Sequence, residues 1–300
     1  MIPTKIFISS NENPDYIQFW PLTATAWRKL GFEPVLSLIT NKEEKQWEWM
    51  REFGEVIRVK ENPEIPSGNW AKMARWWLYF KYEDELGIVS DMDMLPLQRD
   101  YFTELPGDYN SDKHLILKGT YDMSQSGKFP GCYMMATGKV WKDILKPDEY
   151  EDIFEWARQY YNYRLYDHKE ALTTPYSIFS EESLMRAVVL QWDPYGEKTI
   201  RLTRPGGWFH GIKSTSLRVD RSQWPQKKGW ELMGFTPDKK YPNNLARPDH
   251  PPPNEGYYID AHLPRPLEAV KKHLYPLLDY LDISYNIIDR GIELSKRMRG

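Results

Sequence analysis

The chain has 300 residues, enough for one large α/β domain with an appendage or for two small domains. Its 40 basic and 43 acidic residues are interspersed and leave a net charge of −3, which argues against nucleic acid as a bulk partner. One cysteine, Cys132, excludes an intramolecular disulfide framework; with no apolar leader at the N-terminus and no apolar run of transmembrane length, a cytoplasmic protein is expected.

Lys5–Ser10 reads as a first strand and Asn11–Asp15 as a loop. Tyr16–Leu30 has helical spacing through Ile17, Trp20, Ala24 and Trp27, with Gly31 as its stop. Pro34–Thr40 is a second strand, Lys42–Phe53 a second helix closed by Gly54, and Glu55–Val59 a third strand. Asn69–Glu85 is a third helix, with Met73, Trp76, Trp77 and Phe80 as its apolar positions, and it runs straight into Ile88-Val89 and then Asp91-Met92-Asp93. Strands alternating with helices predict a parallel sheet with right-handed crossovers.

Beyond this, His114–Leu117 and Gly131–Ala136 read as strands. Helices are expected from Lys139, over Glu151–Tyr163 and over Leu184–Leu190, the last with an acidic start at Ser180–Ser183. Ile200–Leu202 is a short strand, and residues 241–257 are rich in Pro, Asn and Asp. Leu267–Leu281 carries an apolar stripe, Val270, Leu274, Leu277, Leu278 and Leu281, and a last helix over Ser284–Met298 ends in basic residues. Docking of the stripe on the preceding domain is the default; a homodimer or a membrane surface are the alternatives.

The chemistry concentrates at Asp91 and Asp93. In an extended chain, residues i and i+2 face the same side, so the two carboxylates can reach one ion. Two like charges so close need a cation or a shared proton, and oxygen ligands favour a hard cation such as Mg²⁺ or Mn²⁺. The alternative is that the two aspartates simply start a turn or cap a helix. Aromatic residues make up 15% of the chain, with 13 Trp and 20 Tyr, which suits a core rich in rings or surfaces that stack on sugars.

In their order, these motifs resemble the metal-dependent nucleotide-sugar glycosyltransferases of the GT-A fold, over most of residues 1–215. The motif order is most similar to the retaining galactosyl- and glucosyltransferases of the glycogenin-like group. The resemblance rests on the helix Ala71–Trp77 with Arg75, the Asp91-x-Asp93 motif, the strand Gly131–Ala136 with the later Trp141, the acidic pair Glu181-Glu182, and His210-Gly211-x-Lys213. Phe129-Pro130 stand where the family usually has asparagine-serine, and for Trp141 a place in the core is the favoured reading.

The resemblance implies a GT-A (Rossmann-like) α/β fold, with a mixed, mostly parallel central sheet flanked by helices over 1–240. An irregular linker and a C-terminal helical extension would follow over 241–300. It implies a hexosyl- or pentosyltransferase using Mn²⁺ or Mg²⁺, with a nucleotide diphosphate sugar, uridine-linked, as donor and a glycan or small hydroxyl compound as acceptor. Asp91 would be shared between metal and ribose, Asp93 would ligate the metal, and His210 would complete the shell, with His262, beside Asp260, as its rival. Arg75 and Lys213 would hold the donor, and Ser9, Ser10 and Thr40 would lie under its base or ribose. Glu182, ahead of Glu181, would be the catalytic carboxylate, with retention and inversion both open. The rivals are a non-catalytic carbohydrate-binding protein and a haloacid-dehalogenase-type phosphatase. The latter's Asp-x-Asp motif is followed two residues later by Thr or Val, where this chain has Leu95.

Overall fold

In a computed structural model, the residues described are 1–120, 129, 131–149, 155–156, 181–203, 218–219 and 259–299. The strands are Lys5–Asn11 (β1), Glu33–Ile39 (β2), Glu55–Val59 (β3), Leu86–Val89 (β4), Met94–Pro96 (β5), Leu115–Thr120 (β6), Met134–Thr137 (β7), Thr199–Thr203 (β8), Arg218–Val219 (β9) and Asp260–His262 (β10). Seven form a sheet in the order β3-β2-β1-β4-β7-β6-β8. The first four strands of that order are parallel, β7 is antiparallel to both β4 and β6, and β8 returns parallel to β6. The fold is therefore α/β with a mostly parallel central sheet.

Alternation along the strands splits the core in two. Ile6, Ile8, Leu36, Leu38 and Ile88 face one side, where helices Trp20–Lys29 (α2), Arg99–Thr103 (α4), Leu267–Tyr280 (α7) and Asn286–Arg299 (α8) pack. Phe7, Val35, Ile39, Val89 and Leu117 face the other, under Ser67–Trp77 (α3), Gly138–Leu145 (α5) and Glu181–Trp192 (α6). Both faces are covered, which is why the strands read as near-continuous apolar runs. Trp20, Trp27, Trp70, Trp76, Trp141 and Trp156 are fully buried, so much of the described aromatic content is core.

Three expected helices differ. The one over 16–30 is two pieces, Pro14–Ile17 (α1) and α2, parted at Gln18-Phe19. Pro21 has no N–H to give the carbonyl of Ile17, so the helix restarts there. Residues 42–53 form two 3₁₀ stretches, Glu44–Gln46 and Glu48–Glu52. The buried Trp47, Met50 and Phe53 recur every third residue, a spacing that a 3₁₀ turn aligns on one face. The third helix ends at Trp77 and continues only as a 3₁₀ turn over Leu78–Lys81. Gly31 closes α2 with φ +84, a conformation that costs glycine nothing.

The last described segment is woven into the molecule. β10 pairs antiparallel with β5 and parallel with β9, forming a second, three-stranded sheet. The stripe Val270, Leu274, Leu277, Leu278 and Leu281 is buried in the same cluster as Ile6 and Ile8. No described helix is long and apolar enough to cross a membrane.

Candidate functional site

The parallel strands β1 and β4 lie side by side, with Phe7 opposite Val89. A cleft of about 400 Å³ opens where they end, the position at which open α/β sheets bind ligands. One wall is α3. Trp70, Met73, Ala74 and Trp76 turn into the core, which leaves Gly68, Asn69, Ala71, Lys72 and Arg75 along the cleft. The end of β1 is stitched to this helix. The Ser9 hydroxyl donates to the carbonyl of Ala71, and Asn11 Nδ2 donates to Ser67 Oγ at 3.0 Å.

Asp91 and Asp93 follow β4, but not as an extension of the strand. They occupy the turn between β4 and β5, with Met94 N–H donating to the Asp91 carbonyl at 3.3 Å. The i, i+2 argument for a shared side therefore does not hold, although both residues line the cleft. Within the turn their surroundings diverge. Asp91 is paired with the guanidinium of Arg75, which also donates to the Ser90 carbonyl at 3.2 Å. Arg75 is 3% exposed, a buried guanidinium on the cleft wall. Asp93 is 2% exposed, with Oδ1 3.7 Å from His262 Nε2. Met92 between them is buried, and its carbonyl accepts from the Thr23 hydroxyl at 2.9 Å.

The opposite wall comes from the C-terminal segment. His262 is delivered by the pairing of β10 with β5, where it stands opposite Met94. One residue on, Leu263 N–H donates to the Asp93 carbonyl at 2.8 Å, tying this wall to the aspartate turn. The guanidinium of Arg265 covers the ring of Tyr16, another lining residue, at 4.1 Å. Asp260 makes a two-bond ion pair with Arg218, at 2.9 and 2.8 Å, and both are buried. Burial alone would lower the basicity of Arg218, but the Asp260 carboxylate more than offsets it and holds the guanidinium protonated. Asp260 is thus committed to Arg218 and does not line the cleft.

Of the residues picked out in the sequence, the structure gathers Ser9, Ser10, Arg75, Asp91, Asp93 and the rival His262 around one cleft. It does not bring Thr40 there; its hydroxyl pairs with Glu12. Glu182, at the start of α6, is not among the lining residues either, and its carboxylate accepts the N–H of Gly131 at 3.2 Å. His210, Lys213 and the side chain of Glu181 lie outside the described residues. Trp141 is core, as favoured. Sequence reasoning passed over Asn13, Tyr16, Gly68, Asn69 and Lys72. Helical spacing could have found two of these, since Gly68 and Lys72 fall on the same face of α3 as Arg75.

Among the described residues, no three His, Cys, Asp or Glu side chains close on a common point as they stand. The carboxylate of Asp93 and the imidazole of His262 nevertheless offer an oxygen and a nitrogen donor side by side, a set that suits Mn²⁺. Asp91 adds a second carboxylate in the same cleft.

No family model matches the sequence, and no curated protein matches it. Solved structures are similar in fold at low identity. The galactosyltransferase LgtC in complex with donor and acceptor sugar analogs is 13% identical, with 98% of this chain and 95% of that chain covered and a TM-score of 0.46. The glycosyltransferase GlyE of Streptococcus pneumoniae TIGR4 is 10% identical, with 96% of this chain covered and a TM-score of 0.48; this chain spans 63% of that one. The PaToxG glycosyltransferase is 10% identical, with 64% and 70% covered and a TM-score of 0.35.

Proposed function

We propose that the chain is a metal-dependent glycosyltransferase of the GT-A kind. It moves a sugar from a nucleotide diphosphate sugar, uridine-linked, to a hydroxyl of a glycan or small acceptor. One observation carries this reading: Arg75, Asp91, Asp93 and His262, from three separated stretches of chain, meet in one cleft at the C-terminal ends of β1 and β4. A turn placed only for structure has no need of a buried carboxylate beside an imidazole and a buried guanidinium on its neighbour.

Asp93 and His262 would hold the divalent ion, with Asp91 beside them; His210 is the rival donor. The ion, when bound, acts as a Lewis acid on the charge that grows on the leaving diphosphate. The chain's own residues do the rest. Arg75 orients the Asp91 carboxylate and presents a guanidinium to the donor. The Leu263 N–H fixes the backbone at Asp93, so the carboxylates stand in place before a ligand arrives. Lys213 is the candidate cation for the diphosphate. Ser9 and Ser10 floor the nucleoside end of the cleft, and Thr40 backs the neighbouring strand. Glu182 and Glu181 are the candidate carboxylates for the reacting centre, and the anomeric proton of the product, followed by NMR, decides between retention and inversion.

The test is a thermal shift with Mn²⁺ and nucleoside diphosphates. Stabilisation that needs both together supports the reading. Stabilisation by free glycans alone would assign a binding module instead, and release of phosphate from simple monoesters a phosphatase. A panel of nucleotide sugars, followed by donor hydrolysis with Mn²⁺, then identifies the sugar.

A further inference from the structure

The restart between α1 and α2 leaves Gln18 at the point where the N-terminal and C-terminal parts of the chain meet. Gln18 is 2% exposed and uses its whole side chain. Its Nε2 donates to the Asp15 carbonyl at 2.8 Å, and its Oε1 accepts the N–H of Leu267, the first residue of α7, at 2.9 Å. Its own carbonyl lies so close to α8 that a Cβ on Gly291 would sit 2.2 Å from it.

We propose that Gln18 is a positioning residue of the cleft, setting where the C-terminal wall stands and thereby the separation of His262 from Asp93. This rests on the reading of Asp93 and His262 as the ion-holding pair. The segment from His262 to Leu267 is strung between two anchors. At one end Leu263 N–H is bonded to the Asp93 carbonyl at 2.8 Å; at the other Leu267 N–H is bonded to Gln18. Between them, Arg265 lies over Tyr16, two residues ahead of Gln18. Leu267 is fully buried, so without the Gln18 acceptor its N–H stays unsatisfied unless the segment moves. Any such movement is passed along five residues to His262. A side chain that merely filled space would lower stability without changing the affinity of the cleft for an ion.

The experiment is a titration of the full chain with Mn²⁺ in the presence of a nucleoside diphosphate, with unbound Mn²⁺ read by its EPR signal. Gln18→Met keeps the length and removes the acceptor. Gln18→Glu keeps an acceptor oxygen facing Leu267. Gln18→Met should weaken Mn²⁺ binding about tenfold, the loss also expected of His262→Ala, while Gln18→Glu should stay within about twofold of the parent. The double variant Gln18→Met/His262→Ala should be no weaker than His262→Ala alone, because one route carries both effects.

Parent-like binding by Gln18→Met, losses that multiply in the double variant, or no rescue by Gln18→Glu would each overturn the proposal. If Gln18→Met does not fold, Gln18→Asn, one methylene too short to reach Leu267, replaces it with the same expected loss. A parent chain that takes up no Mn²⁺ overturns the metal reading, and this role with it. A parent that binds beside a Gln18→Met variant that binds equally well overturns the positioning role alone.

Discussion

The two walls of the cleft are built in opposite ways. The α3 wall is local: Arg75 and Asp91 stand sixteen positions apart, joined by one helix-to-strand passage, and their ion pair is made within that unit. The C-terminal wall is remote: His262 reaches Asp93 across more than half the chain, held by a three-residue strand, one backbone hydrogen bond and the docking of two helices. The local wall forms with the parallel sheet itself. The remote one forms only when α7 and α8 have docked, because closing a long loop costs entropy that those contacts must first offset. The remote wall is therefore the one expected to open first in local unfolding, which hydrogen exchange would read.

The aspartates between the walls are the hardest test. Asp93→Ala removes the carboxylate that stands 3.7 Å from His262 Nε2. It should cut transfer by about a thousandfold or more and abolish stabilisation by Mn²⁺ with nucleoside diphosphate. Transfer at the parent rate in Mn²⁺ would remove the basis for treating the two walls as one site.

Next in size is a substitution that strikes only the remote wall. A Cβ at Gly291 would lie 2.2 Å from the Gln18 carbonyl and 2.9 Å from Leu267 Cδ2. The carbonyl belongs to the backbone and cannot step aside, so Gly291→Ala should cost about 3 kcal/mol by overpacking. Chemical denaturation measures that loss. Hydrogen exchange should show 286–299 opening more readily while β1 to β4 keep their protection, as separate walls require. Uniform loss of protection would mean that the two walls open as one unit.

The same contrast explains what was legible in the sequence. β1 to β4 were readable because each crossover is local and each strand is an apolar run, and Arg75, Asp91 and Asp93 came with them. The remote wall left little trace. β5 and β10 are three residues each, β5 ends in a proline, and no periodicity records that Met94 meets His262. His262 could therefore enter only as a rival to His210, carried by its neighbour Asp260, which turned out to pair with Arg218. Thr40 was placed by strand order, but strand order does not fix where a hydroxyl turns, and Glu12 took it. The 3.6-residue template also misread 42–53, where buried residues recur every third position.

The local wall is probed by Arg75→Met. The guanidinium is buried, but the Asp91 side chain is 35% exposed, so water can replace part of what the carboxylate loses. The expected cost is about 2 kcal/mol, below that of breaking a wholly buried pair. Here hydrogen exchange should leave 286–299 unchanged, the reverse of Gly291→Ala. A loss of protection in α7 and α8 would mean that the local wall supports the remote one.

The smallest effect comes from a control outside both walls. Lys118, on β6, is 3% exposed and has no carboxylate among its hydrogen-bond partners in the described residues. Its ammonium donates to the carbonyls of Tyr101 and Glu104, the latter at 2.8 Å, and lies 5.0 Å from the centre of the Tyr101 ring. Burial lowers its pKa from 10.5 to about 8, a shift that the Glu104 carboxylate reduces but does not cancel. Between those two values the unfolded chain binds more protons than the folded one, so stability rises with pH across that window. The rise attributable to Lys118 should be about 1–2 kcal/mol from pH 7 to 9.5. Lys118→Met should flatten it, as read from denaturation midpoints of both chains across that range. Burial raises the pKa of Tyr109 to about 12, and tyrosines held up in this way pull stability down at the alkaline end. Taking the difference between parent and variant removes that contribution. Because Lys118 belongs to neither wall, the substitution should leave Mn²⁺ affinity unchanged, and a change in affinity would show that the cleft responds to the whole sheet.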